Sequence, residues 1–273
     1  MSSEDSSFAG HYIHGYSPEE QARLRAQAKV LAPAVIDSLK FSPHERVLEL
    51  GCGVGAELDL LHQGFPDLQL TGIEIDPRHL ASARGFLPPE ITLLQGDARN
   101  LPFEDNTFDT VLTIWVLEHL TYPEEVLREA LRVLKPGGRL ICTEVDNATM
   151  NIAGEFPTIE TWWERFNTNQ LQAGGNPFVG RDLHVIAQQA GASNVEVELI
   201  KPVSSSSFPE RTEEFLGYLE DLYLSAAEHL HESKSVTAEI VDALRSEFAE
   251  ARINPDTHCE YHAVRLTCTN SPN

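Results

Sequence analysis

Short apolar runs alternate with helical segments through the first half of the chain. Each run is bounded by turn residues, which favours a buried strand. Between the runs, apolar spacing and the prolines at positions 77 and 123 predict helices. The predicted strands are 46–50, 68–75, 91–95, 108–114 and 139–145, and the predicted helices are 56–65, one that starts at Pro77, and 123–134.

Strands that alternate with helices through short connections are typical of a doubly wound parallel sheet. Right-handed crossovers place the carboxyl ends of such strands at one edge of the sheet. We therefore predict an α/β fold in which this edge carries the functional residues. The residues that end or follow these strands, and so meet at the edge, are Glu49, Gly51, Glu74, Asp97, Trp115 and Glu144.

The rest of the chain is less regular. Ser17 and Pro18 predict the start of a helix that runs to about Leu31. No internal repeat and no second hydrophobic core are visible, so one domain over 1–273 is predicted. Its later elements are helices 156–173 and 180–190, a strand at 194–203, two amphipathic helices within 204–258, and a last strand at 260–267.

A glycine-rich turn follows the first predicted strand, in the sequence Glu49-Leu-Gly-Cys-Gly-Val-Gly55. Glycines serve where the backbone turns sharply or approaches a ligand closely, because they lack Cβ. A helix begins at once at Ala56. A strand, a glycine turn and a helix N-terminus together predict a nucleotide-type site at the carboxyl edge of the sheet.

Seven short motifs, taken in chain order, resemble the class I S-adenosylmethionine-dependent methyltransferases, and most closely the ubiquinone/menaquinone C-methylase-like small-molecule group. The resemblance covers roughly residues 12–200. It implies a Rossmann-like, seven-stranded, mostly parallel sheet with an antiparallel last strand and helical lid insertions. The motifs are Glu49 to Gly55, Gly72-Ile-Glu-Ile-Asp-Pro77, Gly96-Asp-Ala98, Leu101-Pro-Phe103, Phe108-Asp109, Val116-Leu-Glu-His119 and Leu134-Lys-Pro-Gly-Gly138.

The resemblance implies S-adenosylmethionine as the cofactor, and the residues at the edge suit its parts. A carboxylate at Glu74 can accept both ribose hydroxyls, and Asp97 with the Ala98 N–H can bind the adenine. The turn of Gly51, Gly53 and Gly55 admits the methionine portion, with Glu49 near its ammonium. Trp115 would flank the adenine and the transfer site.

Further segments are expected to complete the site. The Tyr12–Tyr16 segment resembles the leading segment of related methyltransferases, and we expect it to fold over the cofactor, with Tyr16 towards the substrate. The core would be 12–145, and 147–180 and 204–258 would be insertions that cover the acceptor. Trp162 and Trp163 suit either the core or the cavity wall. Polar groups expected near the mouth are Asp146, Asn176 and Arg181, although Arg181 could equally pair with a surface carboxylate.

Methyl transfer mainly requires positioning of the acceptor and exclusion of water, but some acceptors must also lose a proton. The candidate bases are Glu118, His119 and Glu144, with a plain helix-start role as the alternative for His119. His258, Glu260 and His262 would share one strand face, but no further ligand cluster supports a metal site, so no metal is predicted.

The charge composition limits the kinds of binding partner that the protein is expected to have. Twenty Lys and Arg against 42 Asp and Glu give a net charge of −22, which argues against nucleic acids and anionic membranes and favours a small neutral or cationic substrate.

The four cysteines lack metal-type spacing and are predicted to be reduced and mostly buried. The acidic N-terminus is unlike a signal peptide, so a cytoplasmic location is expected. The oligomeric state stays open.

Two other functions remain as alternatives. Residues 51–56 also satisfy the dinucleotide fingerprint, with Glu74 at a suitable distance, which is compatible with a nicotinamide-dependent dehydrogenase. A non-catalytic S-adenosylmethionine-binding interaction protein would carry the same cofactor residues. Cofactor binding separates the first alternative from a methyltransferase, and single-turnover methyl transfer separates the second.

Overall fold

One mostly parallel sheet organises the chain in the computed structural model, which describes residues 12–204, 209–233 and 235–270. Strand β8 is antiparallel to both β5 and β7, and the order is β3-β2-β1-β4-β5-β8, with β7 beyond β8. The strands are β1 Arg46–Leu50, β2 Gln69–Glu74, β3 Thr92–Gln95, β4 Phe108–Ile114, β5 Leu134–Val145, β6 Asn151–Ala153, β7 Ser193–Ser204 and β8 His258–Thr269.

This topology confirms the doubly wound sheet with an antiparallel last strand. The short strand β6 was not predicted; it pairs with the first residues of β8, beyond the end of β5. Strand β5 also starts earlier than expected. The Gly137 N–H donates to the Asn270 carbonyl (2.7 Å) and the Asn270 N–H to the Gly138 carbonyl (2.8 Å), so the segment before Arg139 is a bulged part of the strand.

The helices lie where apolar spacing and proline placed them, with differences at their ends. Helix α1 continues past Leu31 because Val35 also packs into the core. Asp109 has a structural role, since its carboxylate accepts from the Arg46 N–H (2.9 Å) and pairs with Lys135 (2.7 Å). The helices are α1 Pro18–Val35, α2 Ala56–Gly64, α3 Pro77–Phe86, α4 Pro123–Val133, α5 Pro157–Gln172, α6 Leu183–Ala190, α7 Pro209–Ser225, α8 Ala227–Glu232 and α9 Ala238–Ile253.

The predicted insertions share the hydrophobic core of the sheet. One buried cluster joins residues of β1 and β4 to large side chains of α5, α7, α9 and β8, among them Trp162, Phe215, Phe248 and Tyr261. These segments therefore pack against the sheet in the part of the chain that the structure describes. All four cysteines are buried and none forms a disulfide bond. Within the described ranges, no helix is long and apolar enough to cross a membrane.

Candidate functional site

The glycine turn after β1 has the backbone conformation that its sequence requires. Gly51, Gly53 and Gly55 all have positive φ, and the Gly51 N–H donates to the Ile73 carbonyl of β2 (2.9 Å). A Cβ on Gly51 would lie 2.8 Å from the Val116 side chain, closer than carbon atoms can approach. The turn thus brings the segment after β4 against the end of β1.

Two adjoining cavities lie at the carboxyl ends of the strands, with volumes of about 220 and about 80 Å³. Gly51, Glu74 and Val116 line both. Tyr12, Tyr16, Gly53 and Trp115 line only the larger cavity, whereas Asp97 and Ala98 line only the smaller one. The edge therefore brings together most of the predicted cofactor residues.

Glu74 is the polar group common to both cavities. It is 7 % exposed, and its two oxygens accept from the Gly53 N–H (2.9 Å) and the Asp76 N–H (2.8 Å). Burial raises the pKa of this carboxyl, and the backbone hydrogen bonds oppose that rise. The same bonds fix the orientation of the carboxylate, and each oxygen keeps a second lone pair for a hydroxyl group. This geometry fits a vicinal diol.

The smaller cavity holds the second predicted acid. Burial would raise the pKa of Asp97, but hydrogen bonds from the Arg99 side chain (Nε 3.0 Å, Nη2 2.5 Å) and backbone lower it overall. The Gly96 N–H donates to the Glu74 carbonyl (3.0 Å), which fixes Asp97 and Ala98 beside the end of β2. An ionised acceptor next to a backbone N–H fits the edge of a purine.

Another acid, which was not predicted from the sequence, faces the larger cavity. Glu57, in the first turn of α2, lines the wall, and burial raises its pKa to about 7. Its position directly after the glycine turn is the feature of the sequence that could have identified it. Glu49, by contrast, lines neither cavity: it is 2 % exposed, and burial, with the charges of Glu57 and Glu74, raises its pKa. Glu57 is therefore better placed than Glu49 to meet an ammonium group.

Trp115 occupies a strained backbone position at the end of β4, with φ of 56°. For a bulky residue the left-handed conformation costs about 1–2 kcal/mol, so surrounding bonds must hold it. Its N–H donates to the Thr143 carbonyl (3.0 Å), and the Val116 and Leu117 N–H groups donate to the Glu144 carboxylate (3.1 and 2.9 Å). Glu144 thereby holds the segment that presents Trp115 to the cavity.

This placement corrects the role expected of Glu144. The side chain is fully buried and lines neither cavity, so it acts as a positioning residue and is not placed to act as a base. Burial, followed by the charge of Glu118, raises its pKa to about 8 from the ordinary 4.5. Between those values the folded protein keeps a proton that the unfolded chain has lost, so this group lowers stability as the pH rises.

We expect Glu144→Gln to flatten the fall in unfolding free energy between about pH 5 and about pH 8, because the amide keeps an acceptor oxygen without the titration. Urea unfolding across this range measures the slope. Glu129→Gln is the contrasting variant. A hydrogen bond from Arg132 lowers the pKa of Glu129, so this variant should change the pH dependence of stability only at more acidic pH. An unchanged slope in Glu144→Gln would contradict this account.

The other two candidate bases do reach the cavity. Glu118 and His119 lie on a short 3-10 turn, Leu117–His119, and both line the larger cavity. Glu118 Oε2 accepts from Gln170 Nε2 (2.8 Å), whereas Oε1 lies 3.8 Å from His119 Nε2, beyond hydrogen-bonding distance. At the cavity wall, Glu118 therefore keeps one oxygen, Oε1, that can accept a hydrogen bond, and His119 keeps one ring nitrogen, Nε2.

The Tyr12–Tyr16 segment forms another side of the same wall. The Tyr12 hydroxyl donates to Glu20 Oε1 (2.9 Å), and Arg23 holds the same carboxylate through two bonds of 2.7 Å each. The Tyr16 ring lies under the Arg78 guanidinium at 3.6 Å. These contacts tie the segment to α1 and α3 and close the cavity beside the glycine turn.

The three polar residues expected near the mouth, Asp146, Asn176 and Arg181, line neither cavity. Arg181 pairs with Asp146 (2.6 and 3.1 Å), which was the alternative interpretation of Arg181. Asn176 Oδ1 accepts from the Phe178 N–H (3.0 Å). All three satisfy their polar groups within the loops that follow β5 and α5, so the structure does not support them as substrate residues.

Aromatic residues from later parts of the chain line the larger cavity instead. They are Trp163 and Phe166 of α5, Tyr218 of α7 and Tyr261 of β8, whereas Trp162 is core. Tyr218 and Tyr261 were not predicted there, because their approach depends on contacts between distant segments. Neither His258 nor His262 lines a cavity, and His262 Nε2 lies 2.8 Å from Glu260 Oε1.

Comparison with known proteins supports the interpretation of this edge. Residues 48–142 match the sequence model of a family described as "Methyltransferase domain". A demethylmenaquinone methyltransferase of Symbiobacterium thermophilum is 40% identical over 111 residues, which are 38% of this chain and 44% of that protein. The norajmaline N-methyltransferase of Rauvolfia serpentina is 29% identical over 161 residues, 54% of this chain and 55% of that protein. The chain thus spans about half the length of these relatives.

The fold has close counterparts among solved structures. A Thermotoga maritima protein described as a SAM-dependent methyltransferase has a TM-score of 0.54 and 20% identity, covering 92% of this chain and 94% of that one. The match to the family model spans the glycine turn, Glu74 and Asp97, which are among the residues that line the two cavities. Over residues 48–142 the chain therefore carries a methyltransferase domain, and in this part it is similar to S-adenosylmethionine-dependent methyltransferases.

Proposed function

We propose that this protein binds S-adenosylmethionine in the two cavities and catalyses methyl transfer to a small molecule. The observation that carries the proposal is Glu74, a buried carboxylate oriented by two backbone N–H groups and open to both cavities. It would hold the ribose, with the adenine beside Asp97 and Ala98 and the methionine portion along Gly51 and Gly53. Glu57 would face the ammonium.

When bound, S-adenosylmethionine supplies a methyl group on a sulfonium centre, a leaving group that needs no acid. The protein then has to exclude water, orient the acceptor and receive a proton where one is released. The Tyr12–Tyr16 segment would exclude water beside the cofactor. Glu118 or His119 would take the proton, because both lie on the wall of the larger cavity.

We propose a division of the chain into a cofactor part, 12–145, and acceptor parts, 147–180 and 204–258. Trp163 and Phe166 from the first acceptor part, and Tyr218 and Leu222 from the second, support this division because they line the larger cavity. The hydrophobic core that these parts share with the sheet supports fixed walls of the domain over the detachable lid that the sequence suggested.

A cytoplasmic location without a nucleic-acid partner is part of the same proposal. Four buried cysteines that form no disulfide bond are typical of a reducing compartment. The net charge of −22 would repel a phosphate backbone.

The test combines binding with turnover. Calorimetry should show binding of S-adenosylmethionine and no binding of NAD, and labelled methyl groups should pass from the cofactor to a component of a metabolite mixture. Tight NAD binding would favour the dehydrogenase alternative. Cofactor binding without single-turnover transfer to any acceptor fraction would favour the non-catalytic one.

A further inference from the structure

Five aromatic rings from separate parts of the chain lie near one another on the wall of the larger cavity. His119 lies 5.1 Å from Tyr12 and 6.1 Å from His14, measured between ring centroids. His14 lies 5.5 Å from Phe166, which stacks on Trp163 at 5.0 Å. All five line the cavity. We call these rings the aromatic wall.

The Glu118 carboxylate adjoins the aromatic wall. Glu118 lines the cavity and is only 8 % exposed, so its charge is poorly screened by water. Gln170 binds one of its oxygens at 2.8 Å, which fixes the carboxylate. The other oxygen, Oε1, has His119 Nε2 at 3.8 Å and so keeps its acceptor capacity.

The positive charge near this wall is already neutralised. Arg23 lines the cavity, but its Nε and Nη2 donate to Glu20 at 2.7 Å each and its Nη1 donates to Gln27 at 2.7 Å. A buried guanidinium with all three nitrogens engaged has little left to offer an anionic ligand. The acceptor side thus favours a cation over an anion.

Two rings of the aromatic wall, His14 and Tyr12, are held in their uncharged forms by burial. Burial lowers the pKa of His14, and its Nδ1 lies 2.6 Å from the Ser225 hydroxyl. Burial likewise raises the pKa of the Tyr12 phenol, which keeps its proton. Neutral aromatic faces attract a cation through their quadrupole, and the attraction grows when water is excluded.

We propose that the aromatic wall and Glu118 form a subsite for an organic cation, so that the methyl acceptor is an amine carried on an apolar body. This inference rests on the proposed function and names its substrate class. The net charge of −22 would draw such a cation towards the protein. An ammonium must lose one proton before its nitrogen can accept a methyl group, and Glu118 Oε1 and His119 Nε2 are the atoms placed to receive it.

The test measures binding to protein saturated with S-adenosylhomocysteine, the demethylated cofactor. The probes are benzyltrimethylammonium, its uncharged carbon isostere neopentylbenzene, and benzenesulfonate. We expect the cation to bind about tenfold or more tightly than the isostere, with the sulfonate weakest. Equal affinity for cation and isostere, or preference for the sulfonate, would overturn the inference.

Single substitutions test which side chains produce the preference for the cation over the isostere. Glu118→Gln should weaken binding of the cation about tenfold and leave the isostere unchanged, because the amide keeps the Gln170 contact and loses the charge. Phe166→Leu should also reduce the preference for the cation, since one ring is lost. Glu160→Gln, an exposed position on α5, is the matched control and should change neither affinity.

The two proposals fail in different ways. A protein that does not bind S-adenosylhomocysteine contradicts the proposed function. A protein that binds it and shows no preference for the cation, or a folded Glu118→Gln variant that keeps full selectivity, contradicts only the amine subsite.

Discussion

Glu74→Ala should weaken binding of S-adenosylmethionine by about 100-fold or more, because charge-assisted hydrogen bonds contribute about 1.5–3 kcal/mol each and two ribose hydroxyls lose their acceptor. The same change leaves the Gly53 and Asp76 N–H groups without the carboxylate that orients them. Isothermal titration calorimetry gives the affinity directly. Glu74→Gln keeps one acceptor oxygen and should lose less.

Asp67→Ala is the matched control for this measurement, since Asp67 is an exposed acid in the turn before the same strand. Its affinity for the cofactor should equal that of the wild type. Thermal unfolding establishes that each variant is folded before its affinity is compared. A folded Glu74→Ala protein with wild-type affinity would remove the central support of the proposed cofactor site.

Trp162→Ala should lower the free energy of unfolding by about 3–5 kcal/mol, the range for removing a large buried aromatic side chain. Trp162 is fully buried, and its Nε1–H donates to the Tyr223 carbonyl at 3.0 Å, which links α5 to α7. Because this tryptophan belongs to the cluster shared with the sheet, the whole domain should unfold in one weakened transition. Denaturant unfolding followed by two independent probes measures both properties.

Two comparisons refine this prediction. Trp162→Phe keeps most of the apolar area and should cost less, chiefly the hydrogen bond of about 1 kcal/mol. Leu171→Ala, at a half-exposed position of the same helix, should change stability by less than about 1 kcal/mol. Separate transitions for the sheet and the helical insertions would show that the insertions fold as an independent lid, against the packing described above.

The cofactor side was largely predictable because its signals are local. Strands, short turns and helices follow one another along the chain, and a parallel sheet then places the strand ends at one edge whatever the details of packing. The position of Glu74, Asp97 and the glycine turn beside the two cavities was predicted in this way. Glu49 lines neither cavity, because strand alternation does not tell which side of a strand end faces a cavity, and Glu57 on the next helix lines the larger one.

The acceptor side was not predictable in the same way. Asp146, Asn176 and Arg181 were expected there because they are polar and close to strand ends, but polar loop residues satisfy one another locally, as the Arg181–Asp146 pair does. Glu144 was expected to be catalytic, and only the backbone N–H groups that it accepts from reveal its positioning role.

The order of local signals along the chain was therefore enough to predict the α/β sheet and the carboxylates at its carboxyl edge, and the family resemblance implied the antiparallel last strand. Which side chains line the rest of the larger cavity was decided by packing between segments far apart in sequence. Tyr12 and His14, which precede α1, meet His119 after β4 and Phe166 of α5 only in the folded chain. Periodicity shows that a helix has an apolar face, but it does not show which partner that face meets.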